Sequence, residues 1–265
     1  MESNIINKYK LLILSIVKNV DPEIKSVGRP IIHDYNKCIK IIFMIAKMGL
    51  SWSKISEINN INTDAVRKRY YKWAKLNVFH TAYNVLLKIY KNKYDLSNLF
   101  IDSTVIGNAN GSLKYGFNNK IKNKKSIKIS VIVDINRIPY ILKVTPSNPH
   151  DSKIMEEIIE ENNFNKPINL IGDKGYIKSN EYKQYISDTY NINLITPLRK
   201  NARDKTISEN DKRLLHDRFV VENFFSLLKR RFLRISIIND KKINTYNNYL
   251  YLATGLMIQK YVMNN

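Results

Sequence analysis

Residues 168–176 read Ile-Asn-Leu-Ile-Gly-Asp-Lys-Gly-Tyr, so a short apolar run ends in a glycine and an aspartate. Such a run, bounded by turn residues, is typical of a buried strand. The run Leu99 to Ile101, followed by Asp102, repeats this arrangement earlier in the chain. Because sites in open α/β sheets form outside the carboxyl ends of strands, Asp102 and Asp173 are candidates for one shared site. A single aspartate after a strand is more often a turn or cap residue, and two favour a site only modestly.

The segments around these runs predict an α/β domain with a mixed sheet and helices packed on its faces. Alternating or apolar runs predict further strands at 126–133, 138–144 and 194–196. Helical periodicity predicts helices at 151–161, 180–190, 211–234 and 245–262.

The first third of the sequence is helical in pattern. Apolar residues recur at three- and four-residue steps over 35–48, which predicts an amphipathic helix ended by Gly49. A short helix follows from Ser51, and Thr63 is the expected N-cap of a third helix. That helix carries the basic residues Arg67, Lys68, Arg69 and Lys72. A helix-turn-helix lays its second helix in the DNA major groove. By pattern alone, a small helical bundle with a solvated basic face is slightly favoured over this interpretation.

The composition indicates an anionic partner. The 265 residues include 44 Lys and Arg against 23 Asp and Glu, a net charge of +21. This balance favours nucleic acid, although an anionic membrane surface or an A/T-rich coding sequence would produce the same total.

The sequence also indicates a compartment. With Cys38 as the one cysteine, an internal disulfide and a thiolate zinc cluster are excluded, which fits a reducing environment. The apolar stretches are short and contain lysine, and no cleavable signal follows Met1, so we expect an intracellular protein with no membrane span.

A third carboxylate stands on the helix expected over 211–234. Arg218, Glu222 and Lys229 are spaced by four and seven residues, which places them on one helical face. The Arg218–Glu222 pair alone would stabilise a surface helix by a few tenths of a kcal/mol. Three carboxylates without a Cys or His ligand set favour a hard cation such as Mg²⁺ or Mn²⁺. Two such ions can promote in-line displacement at phosphorus.

Several motifs appear in an order that one family shares, and they cover nearly the whole chain. They are Gly28-Arg29-Pro30, Gly49 to Trp52, Ile101 to Val105, Lys114 to Gly116, Lys128 to Asp134 with Pro139, Ser147 to Ser152, Gly172 to Tyr176 and Arg218 to Lys229. In these motifs the chain resembles the DDE transposases of bacterial insertion sequences and their relatives in viruses and eukaryotes.

The resemblance implies a ribonuclease H-like fold whose catalytic and metal-binding acids are Asp102, Asp173 and Glu222. Two Mg²⁺ or Mn²⁺ ions are the implied cofactors. The family has a signature in which Tyr, Arg, Glu and Lys are separated by two, three and six residues. Arg218, Glu222 and Lys229 match this signature, but Leu215 replaces its tyrosine. The expected domains are an N-terminal helical DNA-binding domain over 1–95 and a ribonuclease H-like catalytic domain over 96–265.

The resemblance also implies contacts with double-stranded DNA. Arg218 and Lys229 would bind phosphates that flank the scissile bond. The basic loop before the second expected strand could follow the DNA backbone through Lys120, Lys122, Lys124, Lys125 and Lys128. The residues Asn148, His150 and Asp151 are interpreted as turn and helix-start residues rather than ligands.

The implied activity is to bind terminal inverted repeats, cleave at the transposon ends and transfer the 3′-ends to target DNA. The expected assembly is a homodimer in a synaptic complex, located with the DNA in a bacterial cytoplasm, a nucleus or a viral factory. Two alternatives remain: a domesticated, catalytically silent DNA-binding protein, and a metal-dependent nuclease without strand transfer.

Overall fold

The structure is a computed structural model that describes residues 2–22, 33–107, 116–118, 124–162, 164, 166–199, 206–236, 238, 240 and 242–263. Several residues named above lie outside these ranges: Gly28, Arg29, Pro30, Lys114, Tyr115, Lys120 and Lys122. The side chain of Lys124 is also outside the description.

Eleven helices and six strands lie in the described residues. The helices are α1 (Glu2–Val20), α2 (Tyr35–Met48), α3 (Trp52–Asn59), α4 (Asp64–Lys75), α5 (Val78–Lys91), α6 (Asp151–Glu161), α7 (Asn180–Tyr190), α8 (Glu209–Asp217), α9 (Phe219–Arg231), α10 (Leu233–Ser236) and α11 (Ile243–Met263). The strands are β1 (Asn98–Gly107), β2 (Gly116–Asn118), β3 (Lys124–Val133), β4 (Pro139–Pro146), β5 (Ile168–Ile171) and β6 (Ile192–Ile195). None of the described helices has the length and apolar character needed to cross a membrane.

The chain divides into two compact units. Among the described residues, the helical unit contains those up to Lys93 and those from Leu228 onward, and the sheet unit contains those from Tyr94 to Leu227. The first division lies close to the expected one at residue 95. The second differs from the expected catalytic domain over 96–265, because the C-terminal helices join the helical unit.

The reason for this difference is the packing of α11. The helix is buried around most of its circumference, which is the pattern of a central helix and not of an amphipathic surface helix. Its Tyr249 ring stacks on Tyr70 of α4 with ring centroids 4.5 Å apart. Tyr70 Oη also donates to the Thr245 carbonyl at 2.7 Å. These long-range contacts are not visible in local sequence periodicity.

The helix-turn-helix order of α3 and α4 is present within the helical unit. Gly49 ends α2 as expected, with φ of 67°, and its N–H donates to the Ile45 carbonyl. Thr63 is the N-cap residue of α4, as expected, but its side chain makes no capping hydrogen bond. Its hydroxyl donates to the Trp52 carbonyl at 3.0 Å, and Asn62 Oδ1 accepts from the Asp64 N–H instead.

The sheet unit contains the expected mixed sheet. β1 lies between β3, which is antiparallel to it, and β5, which is parallel. β6 extends the sheet beyond β5 in parallel, and β2 and β4 pair with successive parts of β3 in antiparallel fashion. Helix α6 and the Ile186 side chain of α7 contribute to an apolar core with Leu99 and Ile101 of β1.

The single helix expected over 211–234 is wrong. It is divided into α8, α9 and α10, with Arg218 as a turn residue between the first two. The Val221 N–H donates to the Arg218 carbonyl at 3.2 Å, a tight i to i+3 contact of the kind that begins a new helix. Apolar side chains continue across the break at Leu214, Val220 and Val221, which is why the sequence pattern predicts one helix.

Candidate functional site

Asp102 lies within β1 and not at its end, because β1 continues to Gly107 through its pairing with β3. The parallel pairing of β1 with β5 stops at Phe100. Asp102 is therefore two residues beyond the last parallel pair, opposite Val131 of β3. The expectation that β1 ends at Asp102 is wrong, but the carboxylate still lies where the parallel part of the sheet finishes.

The Asp102 carboxylate is mostly buried, with 22% of its side chain exposed. Burial raises the pKa of Asp102 to about 6, and the negative charges of Asp173 and Asp151 add to the increase. The backbone N–H of Ser103, which donates to Asp102 Oδ1 at 2.7 Å, and the Arg218 guanidinium offset part of it. Three carboxylates and one guanidinium are thus close enough to influence one another.

Asp173 follows β5 and is the N-cap of the short 3₁₀ helix Lys174–Tyr176. Its Oδ1 accepts from the Gly175 N–H at 2.7 Å. A Cβ atom at Gly175 would lie 2.9 Å from Asp173 Oδ1, so the glycine allows the carboxylate to fold back over the turn. Asp173 is thus a turn-capping residue and also a neighbour of Asp102.

Arg218 joins Glu222 to this group. Its Nη1 lies 3.8 Å from Asp102 Oδ2, and its Nη2 lies 3.4 Å from Glu222 Oε1. The Glu222 side chain is 60% exposed, in the first turn of α9. Arg218 therefore spans two of the three proposed acids, and Asp102 is also close to Asp173.

Asp151 is a neighbour of the site that the sequence interpretation missed. It begins α6, and its Oδ1 accepts from Ser103 Oγ at 2.7 Å and lies 2.8 Å from Lys128 Nζ. Lys128 is 5% exposed, so the expectation that it follows the DNA backbone does not fit this structure. The Ser-Asn-Pro-His-Asp-Ser motif is one of the family motifs in the sequence, but it does not indicate that Asp151 contacts β1.

Tyr176 is a further buried residue with a polar group near the site. Burial raises the pKa of its hydroxyl far above 10, and the charges of Asp102, Asp151 and Asp173 raise it further, so the phenol stays neutral. The hydroxyl lies close enough to Ser103 to be affected by it, in a geometry that falls short of a hydrogen bond among the described residues.

The predicted DNA-binding residues of α4 differ in their availability. Lys68 is exposed, Arg67 contacts Asp64 at 2.9 Å, and Lys72 contacts Asp21 at 2.7 Å. Arg69 is engaged inside the helical unit, where it donates to the His33 carbonyl and to Cys38 Sγ and stacks on Tyr35.

Two further predicted DNA-binding residues, Lys125 and Lys229, lie in the described part of the chain. Lys125, on β3, is exposed. Lys229, in the last turn of α9, is half-buried, and this burial lowers its pKa.

The donor set is suited to a hard cation. Asp102, Asp173 and Glu222 offer oxygen ligands, the type that Mg²⁺ and Mn²⁺ prefer. Within the described ranges, no three His, Cys, Asp or Glu side chains are already grouped closely enough to hold an ion. The chemistry of the residues therefore fits the implied metals, and side-chain movement is required to bring them together.

Comparisons with known proteins identify the family of this chain and its fold. The family model described as "Transposase DDE domain" matches residues 93–253. A comparison with curated proteins finds no match. The piggyBac transposase, solved in a synaptic complex with hairpin DNA, is similar at a TM-score of 0.53 and 11% identity, covering 96% of this chain and 70% of that one.

Two Mos1 transposase structures also align, each at 11% identity and each with 81% of its own chain covered. One is a paired-end complex with the left transposon end, covering 77% of this chain at a TM-score of 0.26. The other is a mariner paired-end complex with Mn, covering 89% at a TM-score of 0.25.

The mixed sheet, its flanking helices and the likeness to the piggyBac transposase confirm the expected ribonuclease H-like α/β fold. The family match extends over more than half of the sequence and includes every residue from Asp102 to Glu222. This protein therefore belongs to the family of DDE-domain transposases.

Proposed function

We propose that this protein cleaves DNA at transposon ends and joins the freed 3′-ends to target DNA, using Asp102, Asp173 and Glu222. One observation carries the proposal. Asp102 and Asp173 lie beyond the last paired residues of the neighbouring parallel strands β1 and β5, in a chain of a transposase family. That position is where open α/β sheets form their sites.

The proposed cofactors are two Mg²⁺ or Mn²⁺ ions, which Asp102, Asp173 and Glu222 would hold. When bound, a metal pair activates the attacking water or 3′-hydroxyl and stabilises the leaving 3′-oxygen. The partial burial of Asp102 beside two other carboxylates supports this assignment, because a cation would relieve their mutual repulsion. Glu222 is exposed and contacts the others through Arg218, so its side chain can turn toward them.

The basic residues of the site would position DNA. Arg218 lies beside both Asp102 and Glu222, and its planar guanidinium can donate two hydrogen bonds to one phosphate. Lys229, further along α9, would contact a phosphate as a point charge. Lys125 is exposed on β3 and would follow the DNA backbone.

The helical unit would bind the terminal inverted repeats. Helices α3 and α4 have the order of a helix-turn-helix, in which α4 would enter the major groove. Lys68 is the exposed basic residue of α4 best placed for this role, and Arg67 and Lys72 would exchange their carboxylate partners for phosphates. Arg69 already has three partners within the unit and would support α4 instead.

Two transposon ends have to be handled together, so we propose a homodimer in a synaptic complex. The piggyBac structure is a synaptic complex by its own description, and its likeness to this chain extends over most of both proteins.

A strand-transfer assay tests the proposed function. The full-length protein is incubated with Mg²⁺, a plasmid target and a duplex that carries the inverted repeats flanking its gene. We expect the wild type to cleave and join DNA, Asp102→Asn to do neither, and Asp188→Asn to do both. Asp188 is the matched control because it is an exposed aspartate of the sheet unit on α7. Cleavage without joining would identify a nuclease, and a wild type without either reaction would contradict an active enzyme.

A further inference from the structure

Lys128 is an almost fully buried lysine on β3, with 5% of its surface exposed. It shares a face of the sheet with Ile132, four residues along the strand, and Ile132 belongs to the core beneath α6. An ammonium group removed from water is costly unless it is paired. Lys128 Nζ lies 2.8 Å from Asp151 Oδ1 and donates to the Pro149 carbonyl at 2.5 Å, so it ties the start of α6 to β3.

Asp151 carries this connection to β1. Its Oδ1, which faces Lys128, also accepts from Ser103 Oγ at 2.7 Å. The backbone N–H of Ser103 donates in turn to Asp102 Oδ1 at 2.7 Å. A continuous series of contacts therefore runs from Lys128 through Asp151 and Ser103 to Asp102, at a point where β1 has already lost its parallel neighbour β5.

The charge of Asp151 is well matched to this position. The Lys128 ammonium, 2.8 Å from Asp151 Oδ1, favours the ionised carboxylate. Asp151 therefore accepts both bonds as a carboxylate. Charge-assisted hydrogen bonds of this kind are roughly twice as strong as neutral ones.

We infer that Asp151 is a positioning residue of the catalytic site: held by Lys128, it fixes Ser103 so that the Ser103 amide orients the Asp102 carboxylate. The inference rests on the proposed function, in which Asp102 binds metal. Groups that orient a metal-binding carboxylate typically contribute about 10- to 100-fold to metal affinity. Asp151 itself need not touch the metal or the DNA.

Three substitutions separate positioning from simple structural support. Asp151→Asn keeps the size and an acceptor oxygen but removes the charge. Ser103→Ala removes the hydroxyl that donates to Asp151, keeps the backbone N–H that donates to Asp102, and leaves the Lys128–Asp151 pair in place. It therefore stays informative if Asp151→Asn fails to fold. Ser103→Thr restores the hydroxyl on a residue type that strands accept readily. Glu160→Gln, on an exposed position of α6, is the control for the loss of one negative charge.

The first readout is the Ser103 amide proton, followed by NMR without metal. We expect its chemical shift to change and its exchange with solvent to rise by about 5-fold or more in Asp151→Asn, the effect of losing roughly one hydrogen bond. Glu160→Gln should leave both unchanged. A Ser103 amide that keeps its wild-type shift and protection in Asp151→Asn would overturn the inference, whether or not the protein binds metal.

The second readout is Mn²⁺ affinity, measured by electron paramagnetic resonance of the free ion. We expect Asp151→Asn and Ser103→Ala each to lose about 10-fold, their double variant to lose no more than the weaker-binding single variant, and Ser103→Thr to bind like the wild type. If Asp102→Asn loses Mn²⁺ affinity and Asp151→Asn does not, the inference about Asp151 is overturned, and the proposed function is not. If the wild type binds no Mn²⁺, the metal site of the proposed function fails, and the Ser103 amide alone decides the inference.

Discussion

Arg218 Nη1 lies 3.8 Å from Asp102 Oδ2, yet the pKa of Asp102 is still raised to about 6. Burial of the carboxylate outweighs the guanidinium, and the charges of Asp173 and Asp151 act in the same direction as burial. The ionised form of Asp102 is therefore held at a free-energy cost that a bound cation would reduce.

This cost predicts the pH dependence of folding stability in metal-free buffer. The pKa of Asp102 rises from 3.8 to about 6 on folding, so between these values the folded chain binds more protons than the unfolded chain. Stability from this residue is then present at pH 4 and is lost as the pH rises through about 6. Asp102→Asn removes the titration. The unfolding free energy of Asp102→Asn, relative to that of the wild type, should therefore increase by up to about 3 kcal/mol between pH 4 and pH 7.

Urea unfolding of wild type and Asp102→Asn over this pH range measures the effect. A difference between the two proteins that does not change with pH would show that Asp102 is not held in a charge-disfavouring environment.

Replacing Arg218 by lysine should impair the reaction more than the fold. Lysine keeps the charge but cannot place two nitrogens toward Asp102 and Glu222 at once. Both contacts are longer than 3.3 Å and partly exposed, so we expect unfolding free energy to change by less than about 1 kcal/mol. Strand transfer should fall by about 100-fold, the usual effect of losing one donor to a transition state. Arg213→Lys, in the exposed part of α8, is the control and should retain activity. Equal rates in the two variants would contradict the role of Arg218.

Gly175→Ala should weaken metal binding without unfolding the protein. The added Cβ would meet Asp173 Oδ1 at 2.9 Å, and the carboxylate at the end of a flexible side chain would turn away at little cost. We expect a change of less than about 1 kcal/mol in unfolding free energy. Mn²⁺ affinity should fall by about 10-fold because Asp173 is displaced. Lys174→Ala, in the same turn, should not lower the affinity. An unchanged affinity in Gly175→Ala would mean that the position of Asp173 is not critical.

Tyr176→Phe should be neutral or stabilising. The hydroxyl is buried and makes no complete hydrogen bond in the described part of the chain, so its removal leaves no partner unsatisfied. We expect the unfolding free energy to stay constant or to rise by about 1 kcal/mol, as measured by urea denaturation. A loss of more than about 1 kcal/mol would show that the hydroxyl forms a stabilising bond in solution.

Local signals in the sequence were sufficient for several elements. The helix over 151–161 and the strand over 168–171 occur at the predicted residues, because apolar periodicity and flanking turn residues both act over a few positions. Gly49 ends α2 because a left-handed residue is needed there. The order of strands and helices was also sufficient to predict the mixed sheet.

What could not be predicted depends on residues far apart in sequence. The continuation of β1 past Asp102 is set by pairing with β3, and the place of α11 is set by Tyr70 and other helical-unit residues. The contact of Asp151 with Ser103 links positions separated by 48 residues. No local pattern at Asp151 distinguishes a helix start from a neighbour of a catalytic acid. The assembly of Asp102, Asp173 and Glu222 as one metal site stays a prediction.

Anomalous diffraction from crystals of the protein with Mn²⁺ and the inverted-repeat duplex tests that assembly most directly. We predict anomalous peaks about 2.0 to 2.3 Å from carboxylate oxygens of Asp102 and Asp173, with Glu222 turned from Arg218 to complete the site. Ordered DNA in the crystal with no anomalous peak at these carboxylates would contradict the account. So would an anomalous peak coordinated by other residues.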